Sequence, residues 1–231
     1  MKTFRKILAV GFVSFFAVVP AHASGEDNND DSWYVAVSGN VSQLEDVDST
    51  TVGLPAPILS VETVSKMGIG YGFQLAVGRE IGRARVEIEG GYTDNPSNRY
   101  IAIKPPTGEI AAEGGHKSLR VMANAYLDFG AGDLRPYVGA GFGYADYKAR
   151  LFAARAPFPD EDPILIIDDH QGDWTYQLMA GAAYELSRGV SLTAQYRWMS
   201  AGDVHFRDRS NFEVIRKQQG HNIDIGIRLQ L

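Results

Sequence analysis

The sequence predicts an all-β fold, an eight-stranded antiparallel up-and-down barrel with its apolar face turned outward. Three observations carry this reading. Eight segments alternate apolar and polar residues with a period of two, their connections alternate between tight turns and long loops, and the rings of the apolar face gather at the segment ends.

The first 23 residues read as an export signal. Lys2, Arg5 and Lys6 make a basic start, Ile7 to Val19 an apolar core, and Ala21-His22-Ala23 a small-residue cleavage site before Ser24. The apolar core is shorter than the ~20 residues a membrane-spanning helix needs. Residues 24–31 are acidic and without periodicity, a flexible lead-in on the periplasmic side. Residues 32–231 form the barrel domain.

The chain has 231 residues, with 22 Lys and Arg, 28 Asp and Glu, and no cysteine. Without the three basic residues of the signal, 19 cationic side chains face 28 acidic ones, a net −9. An acidic chain is a poor match for nucleic acid. Without cysteine, disulfides and thiolate metal sites are excluded, so stability must come from the sheet. Past the signal no segment approaches the length of a transmembrane helix, and hydropathy alone misses the membrane.

The first strand holds Trp33, Val35 and Val37 on one face and Tyr34, Ala36, Ser38 and Asn40 on the other. The second sets Met67, Ile69, Tyr71, Phe73, Leu75 and Val77 against Gly68, Gly70, Gly72, Gln74 and Ala76. In the third, Ala84, Val86, Ile88 and Tyr92 alternate with Arg85, Glu87, Glu89 and Gly91; in the fourth, Leu119 to Phe129 alternate with Arg120, Met122, Asn124, Tyr126 and Asp128. The fifth interleaves Val138, Ala140, Phe142 and Tyr144 with three glycines, and the sixth sets Trp174, Tyr176, Leu178 and Tyr184 against Thr175, Gln177, Met179 and Glu185. Val190 to Trp198 oppose Ser191, Thr193, Gln195 and Arg197, and Ile223 to Leu231 oppose Asn222, Asp224, Gly226, Arg228 and Gln230.

A soluble barrel buries its apolar face; a membrane barrel exposes it. Three features favour the membrane arrangement. Ile81-Gly82, Gly130 to Asp133 and Leu186 to Gly189 are three short periplasmic turns, whereas residues 42–66, 93–117, 148–172 and 199–220 are four long external loops. The outward rings fall into two belts: Tyr92, Tyr144, Trp174, Tyr176, Tyr196 and Trp198 at the loop end, and Trp33, Phe129 and Tyr184 at the turn end, with Tyr71 and Phe73 reading as mid-strand exceptions. The polar face carries nearly balanced charge, Arg85, Arg120, Arg197 and Arg228 against Glu87, Glu89, Asp128, Glu185 and Asp224. An eight-stranded lumen is just wide enough to be filled by such side chains, paired, with Gly68, Gly70, Gly72, Gly139, Gly141 and Gly143 making room.

The Gly-rich run Pro136 to Tyr144, the Tyr196-Arg197-Trp198 strand leading into Gly202-Asp203-Val204, and the alternating last strand resemble the opacity-type outer-membrane barrels, relatives of the outer membrane protein A transmembrane domain. The resemblance covers the mature chain in layout and departs at the last residue, Leu231 where such barrels typically end in Phe. It implies a bacterial outer-membrane location and a role as surface antigen, adhesin or envelope-stabilising protein, sometimes with weak pore activity.

Three constellations invite a test for chemistry. His116-Lys117-Ser118 is similar to the His-x-Ser of lipid A deacylases, but its parity turns His116 and Ser118 into the lumen, away from a lipid substrate. Asp168-Asp169-His170 and Asp203-Val204-His205 pair acids with imidazoles as barrel proteases do, and read as solvated loop residues. Asp160-Glu161-Asp162 with Asp168, Asp169 and Asp173 has oxygen ligands for a divalent cation at irregular spacing, interrupted by Pro159 and Pro163. No catalytic, cofactor-binding or metal residue is assigned, and no cofactor is expected. The expectation is a monomeric, non-enzymatic protein in contact with outer-membrane lipid and lipopolysaccharide, whose loops meet an extracellular or host-surface ligand. A narrow porin-like channel is the alternative, and a lipid A-modifying or proteolytic barrel enzyme stands behind it. Pro55, Pro57, Pro105, Pro106, Pro157, Pro159 and Pro163 keep the loop tips out of any spanning strand, while Ile58-Leu59 and Ile164 to Ile167 suggest ribbons or a contact patch above the membrane.

Overall fold

A computed structural model describes residues 32–52, 60–104, 108–130, 132–153, 164–207 and 212–231. The export signal, the acidic lead-in, Ile58-Leu59, the loop prolines and Asp160-Glu161-Asp162 lie outside the described residues. Ten antiparallel strands make up the rest: β1 (Ser32–Leu44), β2 (Val47–Val52), β3 (Ser60–Met67), β4 (Ile69–Ile81), β5 (Ala84–Lys104), β6 (Gly108–Asp128), β7 (Leu134–Ala153), β8 (Ile164–Ser187), β9 (Val190–Arg207) and β10 (Glu213–Gln230).

Eight of them close the barrel. Alternation has no free edge to expose if the last strand returns to the first, and β1 pairs with both β10 and β4, from Tyr34↔Gln230 to Leu44↔Gly220 on one side and from Ser32↔Glu80 to Gln43↔Ile69 on the other. The remaining pairings follow chain order from β4 through β10. The three tight turns fall where expected, and Gly82 (φ 60°) and Gly189 (φ 78°) take the left-handed conformation that two of these hairpins require.

Most of each long segment proves to be strand. β7 and β8 stay paired from Leu134↔Tyr184 to Ala153↔Ile164, and β5 and β6 from Ala84↔Leu127 to Ala102↔Gly108. Twenty residues of β7 at ~3.3 Å each, tilted by ~40°, stand about 50 Å tall, roughly twice the ~25 Å apolar band of a membrane barrel. β1 and β4 are too short to reach this height. β2 and β3, paired antiparallel with each other, fill the wall above them, β2 against β10 and β3 against β5.

Two bulges separate the levels. The chain turns at Gly68, whose N–H donates to the Pro96 carbonyl at 2.8 Å, so Met67 is buried while Ile69 is exposed. The expected strand beginning at Met67 therefore begins at Ile69, and Tyr71 and Phe73 are not mid-strand. Phe73 lies opposite Tyr92 with ring centroids 5.9 Å apart, and Tyr71 lies opposite Asp94, which places both in the loop-end belt. On β9, Gly202 is left unpaired between Ala201↔Gln218 and Asp203↔Lys217, and the strand changes phase there. Gln195 and Arg197 face inward below the bulge, Val204 and Phe206 above it.

Candidate functional site

The lumen is built from the polar face of every barrel strand, and its centre is Arg197. This guanidinium donates to Glu89 through two nitrogens, at 2.5 and 2.9 Å, to Asp224 through Nε at 2.9 Å, and to the Gln177 side-chain carbonyl at 3.0 Å. Arg120 comes within 3.5 Å of the same Glu89 and donates to Thr93 Oγ1 at 2.8 Å. Two arginines thus share a layer with two carboxylates, an arrangement that a dry interior tolerates only when the charges pair.

Below this layer Arg85 pairs with Asp128 at 2.8 Å, its guanidinium carbon 4.5 and 4.7 Å from the ring centroids of Tyr126 and Tyr137. Arg228 lies 3.4 Å from Glu80 and over the Tyr34 ring. Glu87 accepts from the Tyr34 and Tyr126 hydroxyls, both at 2.8 Å, and from the Asn124 amide at 3.0 Å. The room comes from glycines: a Cβ on Gly141 would stand 2.0 Å from Asn124 Oδ1, on Gly139 2.4 Å from the Tyr126 ring, and on Gly91 2.7 Å from the Arg120 guanidinium. Glu185 departs from the expected network. It is half-exposed at the rim, 3.7 Å from Arg135, because β8 is ending there. Glu80, which the alternation passed over, replaces it.

Above Ser118 the same walls carry the opposite chemistry. On β7 the inward set changes from Gly139, Gly141 and Gly143 to Ala145, Tyr147, Ala149 and Leu151, while the outward set changes from Val138, Phe142 and Tyr144 to Asp146, Lys148 and Arg150. Tyr147, Leu151, Ile167, Val204, Phe206 and Val214 form one buried cluster inside this upper tier. Apolar inside and charged outside is the pattern of a barrel in water, so the switch at Tyr144 and Ala145 marks where the wall leaves lipid. Above Thr175↔Ala201 no ladder pair joins β8 to β9 among the described residues; Asp169 Oδ2 instead accepts the Arg207 backbone N–H at 2.8 Å.

Among the described residues, the side chains of the three constellations are not drawn into a shared site. His116 is buried, as parity requires, but its Nε2 accepts from Arg216 at 2.8 Å, and its Nδ1 lies 3.3 Å from the Gln218 amide. A neutral imidazole carries one proton, here on Nδ1, so the amide is turned to present Oε1, an atom otherwise without a partner. Burial, and then the adjacent Arg216 charge, hold its pKa well below the usual imidazole value. His170 is exposed, and His205 Nδ1 bonds Glu213 at 2.8 Å rather than Asp203. Asp168 pairs with Arg150 at 3.7 Å, Asp169 with backbone, and Asp173 with the Trp174 N–H at 2.7 Å. Among the described residues no acidic or histidine group is arranged to hold a metal.

This inverted barrel, apolar outside and ion-paired within, matches a family model described as outer membrane protein β-barrel domain over residues 8–224. The chain belongs to this outer-membrane β-barrel family. Among curated relatives, a "Putative adhesin" of Rickettsia bellii (strain OSU 85-389) is 22% identical over 98% of this chain and 100% of its own length. A second "Putative adhesin", from Rickettsia typhi, is 22% identical over 97% of this chain and 98% of its own. Among solved barrels, the outer membrane protein OprG from Pseudomonas aeruginosa shares the fold with a TM-score of 0.57 at 12% identity, covering 87% of this chain and 97% of that one.

Proposed function

We propose that this chain is a non-enzymatic surface protein of the bacterial outer membrane that binds an extracellular ligand through the tips of its upper tier. The observation that carries the reading is the tier itself: paired wall continuing past the apolar band to Ala153↔Ile164, with an apolar core of its own. Such a stalk is a rigid mount for the residues between its strands, and rigid mounts with variable loops are how barrels present recognition surfaces. The relatives named "Putative adhesin" support it. In this reading residues 1–23 are cleaved after export, the turns and the N-terminus are periplasmic, and the barrel acts as a monomer among lipid and lipopolysaccharide.

The channel alternative finds less support. Voids of about 50 and 40 Å³ lie on either side of the Arg120–Glu89–Arg197 layer, each with room for a few water molecules at most. Planar-bilayer recording of the refolded protein is expected to show no steady conductance.

The test of recognition is removal of residues 154–163, replaced by a Gly-Ser pair, in cells that display the protein. Attachment to host-cell or matrix surfaces should fall to the level of a deletion strain while the barrel keeps its heat-modifiable gel shift. Undiminished attachment would overturn the assignment to this tip, and cleavage by external protease at Ile81-Gly82 would overturn the orientation.

A further inference from the structure

The outer wall of the upper tier carries an arrangement that folding alone does not reward. Across β6 and β7 two lysines stand directly opposite each other, Lys117↔Lys148, and the row continues to Asp94 on β5 and to His170 on β8. Like charges at opposed positions destabilise a sheet. Lys117 has Asp94 at 2.9 Å, an exposed contact of the kind that contributes little in water. Lys148 is exposed and, among the described residues, has neither an ion-pair nor a hydrogen-bond partner.

Beside the two lysines lies a recess of about 330 Å³. Gly114 and Gly115 line it without side chains, as they must: a Cβ would stand 2.0 Å from the Arg150 carbonyl oxygen at the first and 2.6 Å from the Asn95 carbonyl oxygen at the second. Lys117, Lys148 and Arg150 line it against one carboxylate, Asp94, while Asp146, two residues before Lys148, does not. Arg150 has Asp168 at 3.7 Å, again an exposed pair. The depth is that of the membrane surface. On β6 and β7 the lipid-facing apolar run ends at Leu119 and Tyr144; Lys117 lies two residues beyond the first and Lys148 four beyond the second, about 5 and 10 Å higher at ~3.3 Å per residue and ~40° tilt. A headgroup layer is ~5–7 Å deep, and a lysine stem can bring its ammonium down to it.

We infer that this recess binds a phosphate of the glucosamine headgroup of lipid A, held between the Lys117 and Lys148 ammonium groups with Arg150 above, its acyl chains descending past Leu119 and Tyr144. A dianionic phosphate removes the repulsion between the opposed lysines, which no described carboxylate does for Lys148. The depth favours an anion carried by the leaflet over a soluble polyanion. The inference rests on the upper tier facing out of the cell and is independent of what the loop tips recognise.

The full-length protein in mild detergent is mixed with bisphosphorylated lipid A or with lipid A freed of its phosphates, and adducts are counted by native mass spectrometry. The wild type should retain one bisphosphorylated molecule and none of the dephosphorylated form. Lys148→Gln should lower occupancy roughly tenfold, and Lys117→Gln with Lys148→Gln should lower it further. Lys66→Gln, an exposed lysine of β3 already paired with Asp46, should leave it unchanged, and heat-modifiability shows that each variant is folded. Lys148→Cys, in a chain without cysteine, reads the orientation separately: an impermeant maleimide should label it on intact cells. Labelling without lipid A binding overturns the site and leaves the orientation standing, whereas a folded but unlabelled protein overturns the orientation beneath it. Equal occupancy in wild type and Lys148→Gln, equal retention of dephosphorylated lipid A, or displacement of lipid A by heparin would each overturn the proposal.

Discussion

Arg197 holds Glu89 across the lumen through two parallel N–H···O bonds, and the same guanidinium reaches Asp224. Both residues of the bidentate pair are almost completely buried, so neither can be rescued by water when the other is removed. Arg197→Met should therefore cost ~3–5 kcal/mol, most of it the penalty of stranding two carboxylates, and Arg197→Met with Glu89→Gln should cost clearly less than the two single changes added together. Urea unfolding in lipid vesicles measures this. Additive losses would mean that the lumen is wet and its charges independently solvated.

The two tiers make opposite demands on the same strand. Ile225, exposed between Ile223 and Ile227 on the outward apolar run of β10, should resist a charge: Ile225→Arg is expected to cost ~2–4 kcal/mol and to slow membrane assembly. Phe206, fully buried in the upper tier, should tolerate membrane assembly but not truncation. Phe206→Ala is expected to loosen the upper tier by ~3–5 kcal/mol, seen as faster hydrogen exchange in β9 above Gly202 and upper β10, with the gel shift intact. If exchange rises equally in both tiers, they are one cooperative unit.

What the sequence made legible was whatever period two determines: which of Val121 and Arg120, or Ile225 and Asp224, faces outward, where the tight turns lie, and that the lumen is ionic. Gly68 and Gly202 defeat that reading because a one-residue bulge reverses every later side chain, and the strand beginning at Met67 was misplaced for this reason. The upper strands escaped as well. Their outer face must be charged and their inner face apolar, so upper β7, with Asp146, Lys148 and Arg150 outside, carries no membrane signature and reads as loop. Partner choice inside the lumen depends on register between strands distant in sequence, which alternation does not encode; Glu80 and Arg216 were missed on that account.

His116 ties the upper tier to pH. Its ring is enclosed by Arg216 and Gln218, with Ser42, Asn95, Ser118 and Arg120 lining the adjacent void, and no carboxylate is among them. Protonation would set an imidazolium against the Arg216 guanidinium, which is why the folded pKa is depressed, burial first and the Arg216 charge second. The unfolded chain binds its proton near 6.5, so the unfolded state gains protons first as the pH falls. The stability from neutral His116 is complete above about 6.5 and declines as the pH drops toward the folded value. Tier stability, followed by protease resistance of β6 and β10 above the apolar band, should fall in the wild type as the pH drops from about 6.5 toward the depressed folded value. His116→Gln keeps an acceptor for Arg216 and removes the titrating group, so its profile over that window should be nearly flat. An unchanged slope in His116→Gln would show that the acid sensitivity does not come from His116, which would then be only a packing residue.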